Sequence, residues 1–191
     1  MHFIDEKTIL LGRELSELDL FVLKFVNILK KYTGYALISG YVAILFGRSR
    51  GTEDVDIFIS RISSEQFHDL YQDLLSNGFW SILVDSEDEL FSMLKDNLSI
   101  RFAEKNKVLP NVELKFVKDS LDELSLAKKI IVKTKGGDLF VSDIGLQVAY
   151  KRFVLKSQKD LEDARHLQML FKIDEDKINK YKLLLGNYGR L

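Results

Sequence analysis

Residues 36–60 constrain the fold more than any other part of the chain. The stretch begins with an apolar run at 36–38 and a Ser-Gly pair at 39–40. A short apolar segment closed by glycine follows at 41–47, and after a polar loop the segment 54–60 alternates polar and apolar residues. Alternation of this kind is typical of a strand with one buried face. The stretch therefore predicts a strand, a short helix, a loop and a second strand, in that order.

Composition restricts the class of protein. The chain has 191 residues, of which 46% are hydrophobic and 30% charged, which is typical of a globular protein able to bury a core. A net charge of −1 provides no overall basic field for nucleic acid. The absence of cysteine excludes disulfides, thiolate zinc sites and cysteine nucleophiles, and three scattered histidines are too few for a histidine-based metal site.

The sequence also bears on cellular location. No apolar run reaches the roughly 18 residues that a membrane span needs. The N-terminal segment MHFIDEKTIL carries acidic residues where a signal peptide would be basic. We therefore expect a cytoplasmic protein with no membrane partner, and the sequence leaves the oligomeric state open.

Hydrophobic periodicity predicts the remaining elements. Helices are expected at 16–31, 40–47, 63–76, 86–96, 119–128, 143–156, 158–171 and 174–187. Strands are expected at 35–39, 54–60, 79–83, 98–103, 111–117, 129–134 and 138–142, with the last two forming a hairpin. The fold class is thus α/β (α+β), a mixed sheet with flanking helices. We expect an α/β core with an N-terminal helix over residues 1–142 and a helical C-terminal part, packed on that core, over 143–191.

Asp54 and Asp56 are the first candidates for chemistry. Residues two apart in a strand point to the same side, so the two carboxylates lie together and repel each other. A divalent cation would remove that repulsion, and oxygen ligands of this kind suit magnesium. The alternatives are a solvated strand end or a salt bridge to Arg48 or Arg50.

Ser39 and Gly40 are candidates for binding phosphate. Their place between a strand and a helix leaves backbone amides at a helix N-terminus, where anions bind. The alternative is an ordinary strand–helix turn. Thirteen residues separate Gly40 from Asp54, enough for a short helix and a return loop, so the pair and the aspartates would meet at adjacent strand ends. Together they predict a site for a metal-bound nucleotide.

This pattern resembles a known signature. The string ISGYVAILFGRSRGTEDVDIFIS is similar to the nucleotidyltransferase superfamily of the DNA polymerase β type, in which Gly-Gly or Gly-Ser on a short helix precedes Asp-x-Asp on the next strand. It most resembles AbiE-type toxins and related minimal nucleotidyltransferases. The matching residues are Ser39, Gly40, Tyr41, Gly47, Arg50, Thr52, Asp54 and Asp56. Ser39 departs from the glycine that the family usually has.

The resemblance implies the nucleotidyltransferase fold and a magnesium-dependent transfer of a nucleoside monophosphate from a nucleoside triphosphate to a hydroxyl. Asp54 and Asp56 would bind metal, and Glu113 on a later strand would be the third ligand or the base. Three such ligands support two magnesium ions, and manganese could replace them. The alternative for Glu113 is an exposed strand glutamate paired with Lys115. The residues implied to contact the nucleotide are Ser39, Gly40, Arg50, Thr52, Lys151 and Asp160.

Two segments of the C-terminal half extend the resemblance. Residues 143–152 are similar to an AbiE-type helix that places a lysine toward the nucleotide, here Lys151. Residues 159–167 are similar to the Lys-Asp-x-x-Asp segment of these proteins. From their chemistry alone, Lys151 would neutralise a triphosphate and Asp160 would orient that lysine or the acceptor. The alternative is that Lys159 and Asp163, four apart on a helix, form an ordinary surface pair.

The resemblance also implies partners. The acceptor would be RNA, such as a tRNA, or a protein side chain, and the setting would be a toxin–antitoxin pair with an antitoxin partner. The competing hypothesis is a non-catalytic module that keeps the fold for binding a nucleotide or another protein.

Overall fold

The computed structural model describes residues 1–51 and 53–191. In that part of the chain the strands are β1 (His2–Asp5), β2 (Thr8–Leu10), β3 (Tyr35–Leu37), β4 (Asp54–Ile59), β5 (Phe79–Ser81), β6 (Ile100–Glu104), β7 (Asn111–Phe116), β8 (Ile130–Thr134) and β9 (Gly137–Val141). They form one mixed sheet in the order β1-β2-β8-β9-β3-β4-β7-β6-β5. The expected architecture of a mixed sheet with flanking helices is confirmed.

The helices follow the predicted pattern to within a few residues. They are α1 (Glu17–Leu29), α2 (Ser39–Leu45), α3 (Ser64–Ser76), α4 (Glu87–Lys95), α5 (Ser120–Ala127), α6 (Ile144–Tyr150), α7 (Gln158–Phe171) and α8 (Glu175–Asn187). The predicted helix over 143–156 is interrupted, because its second half is a π-helix at Lys151–Leu155. Among the described helices, none combines the length and apolar character that crossing a bilayer requires.

The N-terminal hairpin is the part of the sheet that sequence reasoning missed. Strands β1 and β2 pair antiparallel, and β2 continues the sheet by pairing parallel with β8. Every residue of β1 is exposed, whereas Ile9 in β2 is buried against the core. A strand of three residues offers too few positions for alternation to be recognised, so only its pairing with β8 defines it.

Alternation along β4 and β7 gives the sheet two unlike faces. Strands β4 and β7 run parallel, with Asp56 opposite Glu113 and Ile57 opposite Leu114. We call the side bearing Val55, Ile57, Val112 and Leu114 the apolar face, because all four are fully buried. We call the side bearing Asp54, Asp56, Glu113 and Lys115 the polar face. This separation follows from the period of two along each strand.

Helices cover both faces. On the apolar face α1, α3 and α4 pack through aromatic contacts, in which the ring centroid of Phe25 lies 5.2 Å from Phe79 and 6.0 Å from Phe102. Helices α5 and α6 lie over the polar face, and α7 and α8 pack on α6. Helices α5 and α6 therefore cover part of the polar face, while Asp54 at the start of β4 stays exposed.

A buried carboxylate fixes α2 to α1. Ser16 caps α1 in a reciprocal capping box with Asp19. Asp19 is fully buried and accepts a hydrogen bond of 2.9 Å from the hydroxyl of Tyr41 in α2 and ion-pairs with Arg13. Because Tyr41 follows Ser39 and Gly40 directly, this contact positions the turn that opens the candidate site.

Candidate functional site

The two aspartates of β4 lie on the polar face beside β7. Asp54 is exposed and sits opposite Asn111, whose side-chain nitrogen donates a 2.7 Å hydrogen bond to its carboxylate. Asp56 is half-buried, and its Oδ1 lies 3.2 Å from Nζ of Lys115. The predicted strand and the shared side of the two carboxylates are confirmed.

Glu113 lies next to Asp56 but is held by two cations. Its Oε1 lies 2.5 Å from Nζ of Lys115, and its Oε2 accepts hydrogen bonds of 2.6 and 3.0 Å from the guanidinium of Arg101. Burial opposes ionisation of Glu113, but the bonds from Lys115 and Arg101 outweigh it and lower the pKa of this carboxyl. The structure thus contains the pairing with Lys115 that the sequence left open as an alternative.

Ser39 adopts a backbone conformation that favours glycine. Its φ is +65°, in the left-handed region, where the backbone of residues other than glycine is strained. Glycine would adopt this backbone conformation without that strain. The residue that follows, Gly40, lies against the guanidinium of Arg50. A Cβ at Gly40 would come within 2.9 Å of Arg50 Nη1, so glycine leaves the room that this arginine occupies.

Arg50 and Lys151 meet at a buried carboxylate. We call the group of Arg48, Arg50, Lys151 and Asp163 the Asp163 cluster. Asp163 is completely buried and contacts both arginines, and its Oδ2 lies 2.8 Å from Nζ of Lys151, which is 2% exposed. The cluster ties the loop before β4 to α7 and to the π-helix.

The Asp163 cluster corrects two alternatives drawn from the sequence. Asp163 does not form a surface pair with Lys159, because its carboxylate is buried among three other cations. Arg48 and Arg50, the alternative partners of the β4 aspartates, contact Asp163 instead. Helical spacing identifies which residues lie on the same face of a helix. Which residues of other elements they pair with depends on tertiary packing.

Asp160 is the second carboxylate on Lys151. Its Oδ1 lies 3.2 Å from Nζ of Lys151, and its Oδ2 accepts a 2.5 Å hydrogen bond from the hydroxyl of Ser157. Burial raises the pKa of Asp160, but the bond from Ser157 and the charge of Lys151 outweigh it, so the pKa is lowered. Asp160 and Lys151 therefore form an ion pair.

A central cavity of about 480 Å³ lies between the polar face and helices α5 and α6. Its walls bring together three of the predicted site residues, Ser39, Asp56 and Lys151. Lys115 and Gln147 also line it. The other predicted residues flank it: Asp54 and Glu113 on the polar face, Gly40 and Arg50 beside Ser39, and Asp160 on Lys151. Thr52 lies outside the described residues.

Two carboxylates of the polar face, Asp54 and Asp56, have the chemistry of magnesium ligands. Within residues 1–51 and 53–191, no group of three or more histidine, aspartate or glutamate side chains forms a cluster that could hold a metal ion. Asp54 and Asp56 offer the carboxylate oxygens that magnesium prefers, and magnesium usually takes only one or two carboxylates and fills its shell with water and phosphates. These two residues fit that donor set. Glu113 would have to leave Lys115 or Arg101 to join them.

Several residues of the site were not found from the sequence. Arg101 lies between two buried residues of β6, and a charged residue in the middle of a strand could have marked it as part of a site. Its partner Glu113 could not be identified in that way, because their contact depends on which strands are neighbours in the sheet. Arg48 and Asp163 had no local signal for their pairing. Gln147 is 6% exposed and its side-chain nitrogen donates to the carbonyl of Ser142, which only the packed structure reveals.

Comparisons with known proteins support one fold. No protein-family model and no curated protein matches the chain. A nucleotidyltransferase-like antigenic protein from Paracoccidioides brasiliensis superposes with a TM-score of 0.53 at 15% identity, covering 91% of this chain and 90% of that one. The antibiotic-resistance factor ANT(2'')-Ia superposes with a TM-score of 0.55 at 9% identity, covering 88% and 91% of the two chains. A crystal structure of ANT(2'')-Ia with adenylyl-2''-tobramycin gives 0.55 at 12% identity, covering 91% and 99%.

These likenesses span nearly the whole of each chain, and they establish that this protein has the nucleotidyltransferase fold. The fold expected from the signature in residues 36–60 is confirmed. At 15% identity and below, they concern the fold and carry no residue roles.

Proposed function

We propose that the protein transfers a nucleoside monophosphate from a nucleoside triphosphate to a hydroxyl acceptor and releases pyrophosphate. One observation carries the proposal: on a nucleotidyltransferase fold, a single cavity is lined by Ser39, Asp56 and Lys151. The carboxylate, the small residue that begins α2 and the lysine come from three separate parts of the sequence. A cavity of about 480 Å³ is within the size range of small-ligand sites.

Each residue has a role in this proposal. Asp54 and Asp56 would hold magnesium, which would neutralise charge on the phosphates and lower the pKa of the attacking hydroxyl. The Ser39 hydroxyl and the backbone at Gly40 would donate hydrogen bonds to the phosphates. Lys151 would add positive charge to the wall on which the triphosphate lies, and Asp160 would hold its ammonium in place.

The reaction balances at one phosphorus atom. The acceptor oxygen forms a bond to the α-phosphorus while the bond from that phosphorus to the pyrophosphate oxygen breaks. The proton of the acceptor hydroxyl passes to a carboxylate oxygen, for which we propose Asp56 because it lines the cavity. The leaving pyrophosphate carries its own charge into the region of Ser39 and Lys151.

The acceptor belongs to the same proposal. The resemblance to AbiE-type proteins favours an RNA such as a tRNA or a protein side chain, together with an antitoxin partner in the cytoplasm. ANT(2'')-Ia was crystallised with adenylyl-2''-tobramycin, so an aminoglycoside hydroxyl belongs among the acceptors tested.

Transfer of a label tests the activity. The protein is incubated with each α-labelled nucleoside triphosphate, magnesium, and total RNA, total protein or aminoglycosides in turn. We expect label in one acceptor pool, and its loss in the variant with both Asp54→Asn and Asp56→Asn. Asp138→Asn is the control, because Asp138 is a half-exposed strand carboxylate paired with Lys133 outside the cavity. Absence of transfer from all four triphosphates, or equal transfer by the double variant, would contradict the proposal.

Glu113 forms ion pairs with Arg101 and Lys115, which keep it from acting as a metal ligand or base. These ion pairs favour one other function, a non-catalytic nucleotide-binding module. Such a module would bind a triphosphate without transferring any part of it. A magnesium-dependent rise in melting temperature with triphosphate, combined with no label transfer, would identify it. Neither a rise nor transfer would exclude both functions.

A further inference from the structure

Lys115 occupies the position between two of the candidate metal-site carboxylates. Its ammonium lies 2.5 Å from Oε1 of Glu113 and 3.2 Å from Oδ1 of Asp56. The parallel register of β4 and β7 places these carboxylates opposite each other, and Lys115 is two residues beyond Glu113 on the same face. A positive charge is thus already held where the two carboxylates converge.

The charges of the polar face are not balanced in this arrangement. Asp54, Asp56 and Glu113 supply three negative charges, while Arg101 and Lys115 supply two positive ones. Exchange of the Lys115 ammonium for a divalent cation would balance all three carboxylates. The guanidinium of Arg101 would remain on Glu113 through its two hydrogen bonds.

The side chain of Lys115 can also move away from the carboxylates into the central cavity. Its side chain is 32% exposed and lines the central cavity, so the ammonium can leave the carboxylates without passing through packed core. The cavity is where the proposed function puts the phosphates, and an ammonium on a flexible stem binds phosphate as a compact positive charge. By contrast, Lys151 is 2% exposed and bound to two carboxylates, so its ammonium is fixed.

We propose that Lys115 is an exchangeable counter-ion of Asp56 and Glu113, which a divalent cation displaces toward the phosphates of the substrate. Lys115 then sets the metal concentration at which the site is filled. This inference rests on the proposed function, because it takes Asp56 as a metal ligand. Two ligands that compete for one site lower each other's affinity by the same factor.

Titration with Mn²⁺, followed by the electron paramagnetic resonance signal of the free ion, tests the proposal without measuring activity. Lys115→Met keeps the apolar stem and removes the charge, so we expect it to bind Mn²⁺ at least about fivefold more tightly than the wild type, the lower end of typical coupling between sites. Lys133→Met is the matched control. Lys133 is also a strand lysine paired with an aspartate, at 3.4 Å, but lies outside the cavity, and its loss should leave Mn²⁺ affinity unchanged.

Melting temperature provides a second readout. With EDTA, Lys115→Met should melt below the wild type, because two carboxylates lose their shared cation, and excess Mn²⁺ should restore it. Lys115→Arg retains a permanent positive charge and should bind Mn²⁺ no more tightly than the wild type.

The outcomes separate this proposal from the function on which it rests. Equal or weaker Mn²⁺ binding by Lys115→Met, tighter binding by Lys115→Arg, or failure of Lys115→Met to fold even with excess Mn²⁺ would overturn the exchange. Label transfer could still occur in that case. If neither the wild type nor Lys115→Met binds Mn²⁺, with or without triphosphate, the metal-dependent function itself is overturned, and the exchange with it.

Discussion

Replacement of Asp163 by asparagine is the most direct test of the Asp163 cluster. The variant keeps the shape of the side chain and removes the one buried negative charge that Lys151 and Arg50 share. Lys151 is 2% exposed, so its ammonium would keep only Asp160, at 3.2 Å, and little access to water. Breaking a buried ion pair by removing one partner costs about 3–5 kcal/mol.

For a chain of this length, each kcal/mol of lost stability lowers the melting temperature by about 2–4 °C. We therefore expect Asp163→Asn to melt roughly 6–20 °C below the wild type by differential scanning calorimetry. Glu162→Gln is the matched control. Glu162 is the neighbouring residue, pairs with Arg48 at 2.5 Å and is 45% exposed, so its loss should cost less than about 1 kcal/mol.

A double variant decides whether the unpaired ammonium causes the loss. Adding Lys151→Met to Asp163→Asn removes the charge that has lost its partner, so the double variant should be more stable than Asp163→Asn alone. The reasoning would be refuted if Asp163→Asn and Glu162→Gln melted at the same temperature. It would also be refuted if Lys151→Met lowered the stability of Asp163→Asn further.

Three further predictions concern the surroundings of the site. Ser39→Gly should raise the free energy of unfolding by up to about 1 kcal/mol in urea titration, because relief of the left-handed strain exceeds the extra chain entropy of glycine; a loss of stability would contradict the strain. Tyr41→Phe should cost about 1–2 kcal/mol in the same titration, because buried Asp19 loses a donor, and an unchanged midpoint would show that this bond contributes nothing. Glu113→Gln should be less stable than the wild type at pH 7. Folding lowers the pKa of Glu113, so the stability that its charge contributes is present above the ordinary carboxyl pKa of 4.5 and is lost as pH falls through the pKa of the folded state. The unfolding free energies of the variant and the wild type, plotted against pH, should therefore converge in acid. A difference that stays constant with pH would refute this.

Local patterns in the sequence were sufficient for the signature and for most elements, but not for the hairpin of β1 and β2 or for the π-helix at Lys151–Leu155. The alternation in residues 54–60 identified β4 and the shared side of its two aspartates, because the period of a strand depends only on the chain itself. The short helix expected at 40–47 is α2, which begins one residue earlier at Ser39. The fold followed from this stretch, and the comparisons confirmed it.

Pairing between distant residues could not be predicted from local patterns. Asp163 is more than 110 positions from Arg50, and a helix with a buried aspartate has the same spacing as one with an exposed aspartate. Arg101 reaches Glu113 only because β6 neighbours β7 in the sheet. Lys115 was recognised as a partner of Glu113, but its second contact with Asp56 depends on the parallel pairing of β4 with β7. The resemblance to AbiE-type proteins stays a prediction, since the likeness to solved structures concerns the fold.

A crystal structure with Mn²⁺ and a non-hydrolysable nucleoside triphosphate tests the central claim most directly. We expect a manganese ion, identified by its anomalous signal, bound by Asp54 and Asp56, with the triphosphate in the central cavity against Ser39 and Lys151. Triphosphate bound elsewhere, or a manganese peak away from both aspartates, would contradict it.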